Sequence, residues 1–269
     1  VGVTMVRAVS LNAGMKEKAT IFFPGKVDDS ILTFFLTHGE SVNLAKGDTV
    51  PKKTLINSFV FLREGLLFYT TRTNNYSKPK FITVIFPNRL ADYHLLFDDN
   101  CTCCKGISAA RDSEIIVINK QKIRELVQTR PDLFSRFTLD AAYYTERQTT
   151  LAVFLLTSSP EDKLLKFLFD TLVVLDTDFS QQWLTVHLKL TRQEIAEILH
   201  ISVIKLDLML GELKKQGLVR RVGNKLQVRV DYFHPLSPCP LGREDANGCQ
   251  SNNMSKFRAG NLITLNNGG

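Results

Sequence analysis

At 269 residues, 44% of them apolar and 23% charged, the chain has the composition of a globular protein long enough for two modest cores, which excludes a low-complexity or fibrous class. No apolar run approaches the about 20 residues of a bilayer-spanning helix, and residues 1–13 lack the charged start and continuous apolar centre of a secretory signal, so a cytoplasmic location without membrane contact is expected. The net charge of +7 suits a polyanionic partner, and five cysteines, an odd number, suit free thiols better than a disulfide framework.

Residues 20–130 predict a first domain. Short apolar runs at 34–36, 41–44, 58–62, 66–71, 81–86, 107–110 and 115–119 read as strands. Between them stand the turn signals Lys46-Gly47-Asp48, Arg63-Glu64-Gly65, Asn74-Asn75 and Pro87-Asn88. Many short strands at this spacing predict an antiparallel barrel or sandwich.

Residues 131–157 predict one long helix, with Pro131 near its start, where proline is tolerated. Phe134, Phe137, Ala141, Tyr144, Gln148, Leu151 and Leu155 alternate spacings of three and four, an a/d seam sustained for three heptads. A twofold copy of the same helix is the simplest partner for such a seam; burial against the barrel is the alternative. Gln148 is the polar exception, a residue that fixes register or touches a ligand. Ser159-Pro160-Glu161-Asp162 then caps a further helix, which makes residues 157–159 the expected hinge.

Residues 190–229 read as a helix–turn–helix followed by a wing, within a domain spanning 158–232. Thr191 and Glu194 have the spacing of a capping box, and Ile195, Ile198 and Leu199 mark one apolar helical face. His200-Ile201 interrupts the pattern. Ser202 then caps a second helix with Leu206, Met209, Leu210 and Leu213 as its buried positions, and Gly217 fits its left-handed stop. Arg220-Arg221-Val222 and residues 225–229 pair as a hairpin about Gly223-Asn224. Residues 186–231 hold nine Lys/Arg against five Asp/Glu, a bias that suits nucleic acid. Residues 233–269, rich in Asn, Gly, Ser and Pro, predict a flexible tail.

Barrel, long helix, hinge and winged helix–turn–helix, in that order, resemble the Crp/Fnr family of bacterial transcription regulators over roughly residues 30–230. The resemblance is carried by Lys46-Gly47-Asp48, by FVFLREG at 59–65, by Arg130-Pro131-Asp132-Leu133 and, most specifically, by LTRQEI at 190–195. It implies an α+β architecture: an N-terminal antiparallel β-roll like a cyclic-nucleotide-binding domain, a dimerisation helix and a C-terminal winged helix–turn–helix. It also implies a homodimer on palindromic double-stranded promoter DNA, an effector sensed at the β-roll, and RNA polymerase as a further partner.

Cyclic-nucleotide members grip ribose and phosphate with a Gly-Glu segment and an Arg-Ser or Arg-Thr pair. Here Ala91-Asp92 and Cys103-Cys104 stand at those places, and Asp98 and Asp99 add negative charge, so no cyclic-AMP site is expected and the effector stays unidentified. Arg89, Asp92, Tyr93 and His94 are candidates to line a site for another small effector, joined by Gln148 and Thr149, which occupy the part of the long helix that meets the nucleotide base in relatives. Cys101, Cys103 and Cys104 invite a redox reading, since Lys105 favours a thiolate beside it. Unreactive cytosolic thiols are the simpler alternative, and C-x-C-C lacks the spacing of a structural zinc site, so no metal is assigned.

On DNA, Arg192, Gln193 and Lys205 match phosphate-side positions in the family, Thr191 beside them is a further DNA-binding candidate, and Arg220, Arg221 and Lys225 add backbone contacts from the wing. The helix opened by Ser202 would enter the major groove, where Val203, Ile204, Asp207 and Leu208 take the base-reading positions. These lack a bidentate guanine reader. The alternative is a sensor or adaptor that offers this apolar helix face to a protein. No GxSxG, HExxH, Walker or GxGxxG pattern occurs and the five histidines are scattered, so an enzyme is not expected.

Overall fold

The computed structural model describes residues 20–71, 80–93, 105–187, 190–223 and 225–236. His94, Cys101, Cys103, Cys104, Asn224 and the expected tail beyond 236 lie outside the described residues.

The first element corrects the sequence reading. Residues 34–36 belong to helix α1 (Asp29–His38), not to a strand. The Asp28 carboxylate caps this helix by accepting the Ser30 N–H at 2.9 Å, and Asp29 sits at the positive end of its dipole. Ile31 and Phe35, one turn apart, are its buried residues. A three-residue apolar run does not distinguish a period of 2 from one of 3.6.

Next come β1 (Glu40–Leu44), the short α2 (Lys52–Asn57), β2 (Ser58–Thr71), β3 (Lys80–Ile85), β4 (Arg89–Leu90) and β5 (Lys105–Asn119). They pair antiparallel in the order β1-β5-β2-β3, with β4 also against β2, and among the described residues this sheet stays open and does not close into a barrel. The runs 58–62 and 66–71 are one strand, and so are 107–110 and 115–119. Arg63-Glu64-Gly65 is therefore an irregularity within a strand, not a turn. The register against β5 shifts around Glu64 and Leu66, and Gly65 has φ +98°. A Cβ there would lie 2.5 Å from the Asp112 carbonyl oxygen and 2.6 Å from Ser113 Cα, so glycine is required. The Leu66 N–H is satisfied by Ser113 Oγ at 3.1 Å.

Side chains alternate across β2. Phe59 and Phe61 join a core under the helices, while Val60 and Leu62 join Leu44, Val50 and Ile115 on the opposite face. Helix α3 (Lys120–Thr129) leads into α4 (Pro131–Thr157), with Pro131 in its first turn. The seam of α4 turns inward. Phe137 meets Phe59, Tyr93 and Phe35 at ring distances of 5.3, 5.4 and 6.2 Å, and Ala141 and Leu151 are buried. Phe134, Tyr144 and Leu155 pack partly buried beside them, and Gln148 is half-buried. The surface left open on α4 carries a second apolar set: Leu139, Tyr143, Val153 and Leu156. The seam's period is thus satisfied within the chain, the alternative noted above.

Beyond Ser158 follow α5 (Pro160–Val174), β6 (Trp183–Val186), α6 (Arg192–Ile198), α7 (Val203–Lys215), β7 (Val219–Val222), β8 (Lys225–Arg229) and a 3-10 turn (Val230–Leu236). Strand β6, which has no counterpart in the sequence reading, extends the wing to three strands in the order β6-β8-β7. One core runs from the sheet into this module and unites Leu66, Phe68, Val84 and Phe86 with Leu164, Phe167, Leu199, Leu206 and Val228.

A strap formed by residues 20–24 lies in that core. Phe22 and Phe23 are buried against Phe167, at 5.5 and 5.7 Å, and Phe23 also against Phe86 at 4.9 Å. The strap's backbone is held from three sides. Thr83 Oγ1 of the sheet donates to Phe22 O, Arg89 Nε donates to Pro24 O at 2.6 Å, and Arg147 of α4 donates to Phe23 O at 3.0 Å. From α5, Asp170 accepts the N–H groups of Ile21 and Phe22 at 2.7 and 3.0 Å.

Candidate nucleic-acid interface

The helix–turn–helix follows from local chemistry. Thr191 Oγ1 accepts the Glu194 N–H at 3.2 Å, and Glu194 Oε2 accepts the Thr191 N–H at 2.6 Å, the reciprocal capping box that starts α6. The helix ends with His200 at φ +54°, its N–H bonded to Glu197 O, while Ile201 N–H bonds Ala196 O. These bonds form a Schellman stop with a histidine in the left-handed place. Ser202 Oγ accepts the Lys205 N–H at 3.1 Å and starts α7. A second Schellman stop, centred on Gly217 at φ +68°, ends it. Leu206 and Met209 are the buried residues of α7, with Leu210 and Leu213 packed partly buried beside them.

The exposed residues of this module include Thr191, Arg192, Gln193, Ser202, Ile204, Leu208, Arg220, Arg221 and Lys225; Val203 and Lys205 are half-buried. Arg192 donates to Asp207 Oδ1 at 2.7 Å, which sets the start of α6 beside the second turn of α7. Lys205 Nζ donates to Glu161 Oε1 at 2.7 Å and so ties α7 to the start of α5. In the wing, the Arg220 guanidinium lies 4.0 Å from the Trp183 ring centroid and its Nε donates to Gln227 Oε1 at 2.8 Å. An ion pair adds to the shared core between sheet and module: Arg111 of β5 grips the Glu194 carboxylate with two nitrogens, at 3.3 and 3.2 Å.

Of the effector candidates, Asp92 and Tyr93 lie around residue 91 beside Tyr144 of α4, whereas Arg89 bonds the strap. Arg89 is buried, with Nη1 donating to Pro87 O at 2.8 Å in addition to its bond to the strap. Asp92 accepts from the Tyr69 hydroxyl and from the Tyr93 N–H, the Tyr93 ring lies tilted 5.2 Å from that of Tyr144, and the Tyr144 hydroxyl donates to Ala91 O at 3.2 Å. Gln148 and Thr149 stand one turn further along α4, and Thr149 is exposed. Burial, with the Asp92 charge as the next cause, holds the phenols of Tyr69 and Tyr144 well above the usual range; burial and then Asp140 do the same for Tyr93.

Sequence reasoning missed Asp170, Arg111, Arg147 and the strap. Asp170 had one available sign, a carboxylate inside the apolar run LLKFLFDTLVV. Arg111 and Arg147 act through long-range contacts that leave no local pattern.

Comparison with known proteins agrees with this geometry. Residues 162–231 match the Crp-like helix–turn–helix domain. Among solved structures, CprK complexed with OCPA is 16% identical with a TM-score of 0.61, covering 81% of this chain and 97% of that one. CooA from Carboxydothermus hydrogenoformans is 16% identical with a TM-score of 0.59, covering 73% of this chain and 86% of that one. The c-di-GMP-responsive global regulator CLP of Xanthomonas campestris is 16% identical with a TM-score of 0.59, covering 75% and 99%. No curated protein sequence matches the chain. Residues 162–231 thus match a Crp-like helix–turn–helix domain, on a chain that shares its fold with CprK, CooA and CLP.

Proposed function

We propose that this chain is a signal-responsive transcription regulator that binds palindromic promoter DNA as a homodimer. The observation that carries the reading is the winged helix–turn–helix itself: two capped helices with α7 presenting an exposed face, beside a wing bearing Arg220, Arg221 and Lys225. A helix so placed enters the major groove by its first turns, while α6 and the wing hold phosphates. The second copy docks on the outer face of α4, along Leu139, Tyr143, Val153 and Leu156, because these are the large apolar side chains that α4 leaves in water. The sensing point is the junction around residue 91, where Arg89, Tyr93 and Tyr144 connect the sheet, the strap and α4. RNA polymerase is the partner through which such a regulator acts once on its promoter.

The test is fluorescence anisotropy of the full chain on its own upstream DNA and on a scrambled duplex, at stated salt. The expected result is preference for the upstream DNA, with Arg221→Ala and Lys225→Ala each weakening binding and lowering the salt slope by about 1. Equal binding to both duplexes would count against the reading. The exposed Ile204 and Leu208 favour one second reading, an adaptor using α7 for a protein partner; there Arg221→Ala and Lys225→Ala would leave complex formation intact.

A further inference from the structure

Resting on the DNA-binding reading above, the geometry points to a specific mode of readout: α7 recognises thymine methyl groups in the major groove, with Ile204 and Leu208 as the specificity-determining side chains. These two residues are one turn apart on the face away from Leu206 and Met209, with 73% and 66% of their surfaces in water. On α7 they are the large apolar side chains not used by the core. Gly211, a further turn along, is exposed and would meet no atom within 4 Å of an added Cβ, so that face lets another surface approach closely.

The polar groups nearby are already engaged. Asp207 holds Arg192, Lys205 is held by Glu161, and Ser202 Oγ caps the helix. The first two turns of the exposed face therefore offer no guanidinium to the O6/N7 pair of guanine and no amide to the N6/N7 pair of adenine. What they offer is hydrocarbon, and in the major groove the apolar feature is the C5 methyl of thymine. Charge decides for nucleic acid over an apolar protein groove. The module exposes Arg220, Arg221 and Lys225 on its wing, cations suited to the phosphates on either side of a groove. Four residues of helix rise about 6 Å, close to two base steps of about 3.4 Å, so the paired methyls should lie within two steps of each other.

Selection of the full chain on random duplexes, followed by anisotropy on the enriched duplex and on the same duplex with thymine replaced by deoxyuracil, tests this. Enriched half-sites should carry paired thymines two steps apart. Each lost methyl should weaken binding about fourfold, the equivalent of one buried methylene. The doubly substituted Ile204→Ser/Leu208→Ser chain, whose changes lie in water and leave the core untouched, should bind the thymine and uracil duplexes alike. Sequence-specific binding that ignores the methyls would overturn methyl readout and leave the DNA-binding reading standing. Absence of any enriched sequence, including capture of α7 by a protein instead, would overturn both.

Discussion

The carboxylate of Asp170 accepts the backbone N–H of Phe22 at 3.0 Å, across 148 residues of chain. The same carboxylate takes the Ile21 N–H and the Lys166 ammonium, and it is fully buried. Through it the strap is fastened to the helix–turn–helix module, while Thr83, Arg89 and Arg147 fasten it to the rest of the chain.

Replacing Asp170 by Ala should therefore destabilise the chain by about 3 kcal/mol, because it strands the buried Phe22 amide and the half-buried Ile21 amide and uncouples Lys166. Urea unfolding at neutral pH would measure the loss, and amide exchange at Ile21 and Phe22 would rise well above that of β2. Unchanged exchange at those amides would refute the strap's dependence on Asp170.

The tyrosine cluster sets an alkaline limit. Tyr69, Tyr93 and Tyr144 have phenol pKa values raised by burial, whereas in the unfolded chain they titrate near 10.0. Above that pH the unfolded state sheds protons that the folded state keeps, so stability is full below about pH 10 and falls as pH rises further. Three such groups give a slope of about 4 kcal/mol per pH unit at most. Chemical unfolding at pH 9, 10 and 11 would show it, and replacing Tyr144 by Phe should flatten the curve.

The two faces of α4 should respond differently to substitution. Leu139→Glu with Leu156→Glu, on the open face, should dissociate the proposed homodimer in sedimentation without unfolding the chain. Phe137→Ala, on the inward seam, should cost about 3–5 kcal/mol of stability. Dissociation by the second and not the first would place the dimer contact on the wrong face.

Gly65→Ala should cost more than about 2 kcal/mol, since both its positive φ and the nearby backbone of Asp112 and Ser113 exclude a methyl. A melting temperature equal to that of the parent would mean that the bulge rearranges freely.

The helix–turn–helix was legible because its signals are local: a threonine three residues before a glutamate, a serine cap and a glycine stop act within one turn of chain. The long helix was legible as a period but not as a direction. A heptad seam states that something covers it, not whether that is a second chain or the chain's own Phe35 and Phe59. Residues 34–36 misled because three apolar residues carry no period, and the Asp28 cap that settles the matter lies outside the run. Splitting β2 at Gly65 followed from treating glycine as a turn signal, when its role is to let Asp112 and Ser113 approach. The strap's backbone bonds to Thr83, Arg89, Arg147 and Asp170 impose no sequence pattern on the residues held, which left the apolar pair Phe22-Phe23 as its one local sign.

Glu194 has one carboxylate and two attachments. It closes the N-terminal turn of α6, and it is the group that Arg111 of β5 grips. Strand and helix therefore share one group: a change that draws Arg111 away from Glu194 acts on the same carboxylate that caps the first turn of the helix.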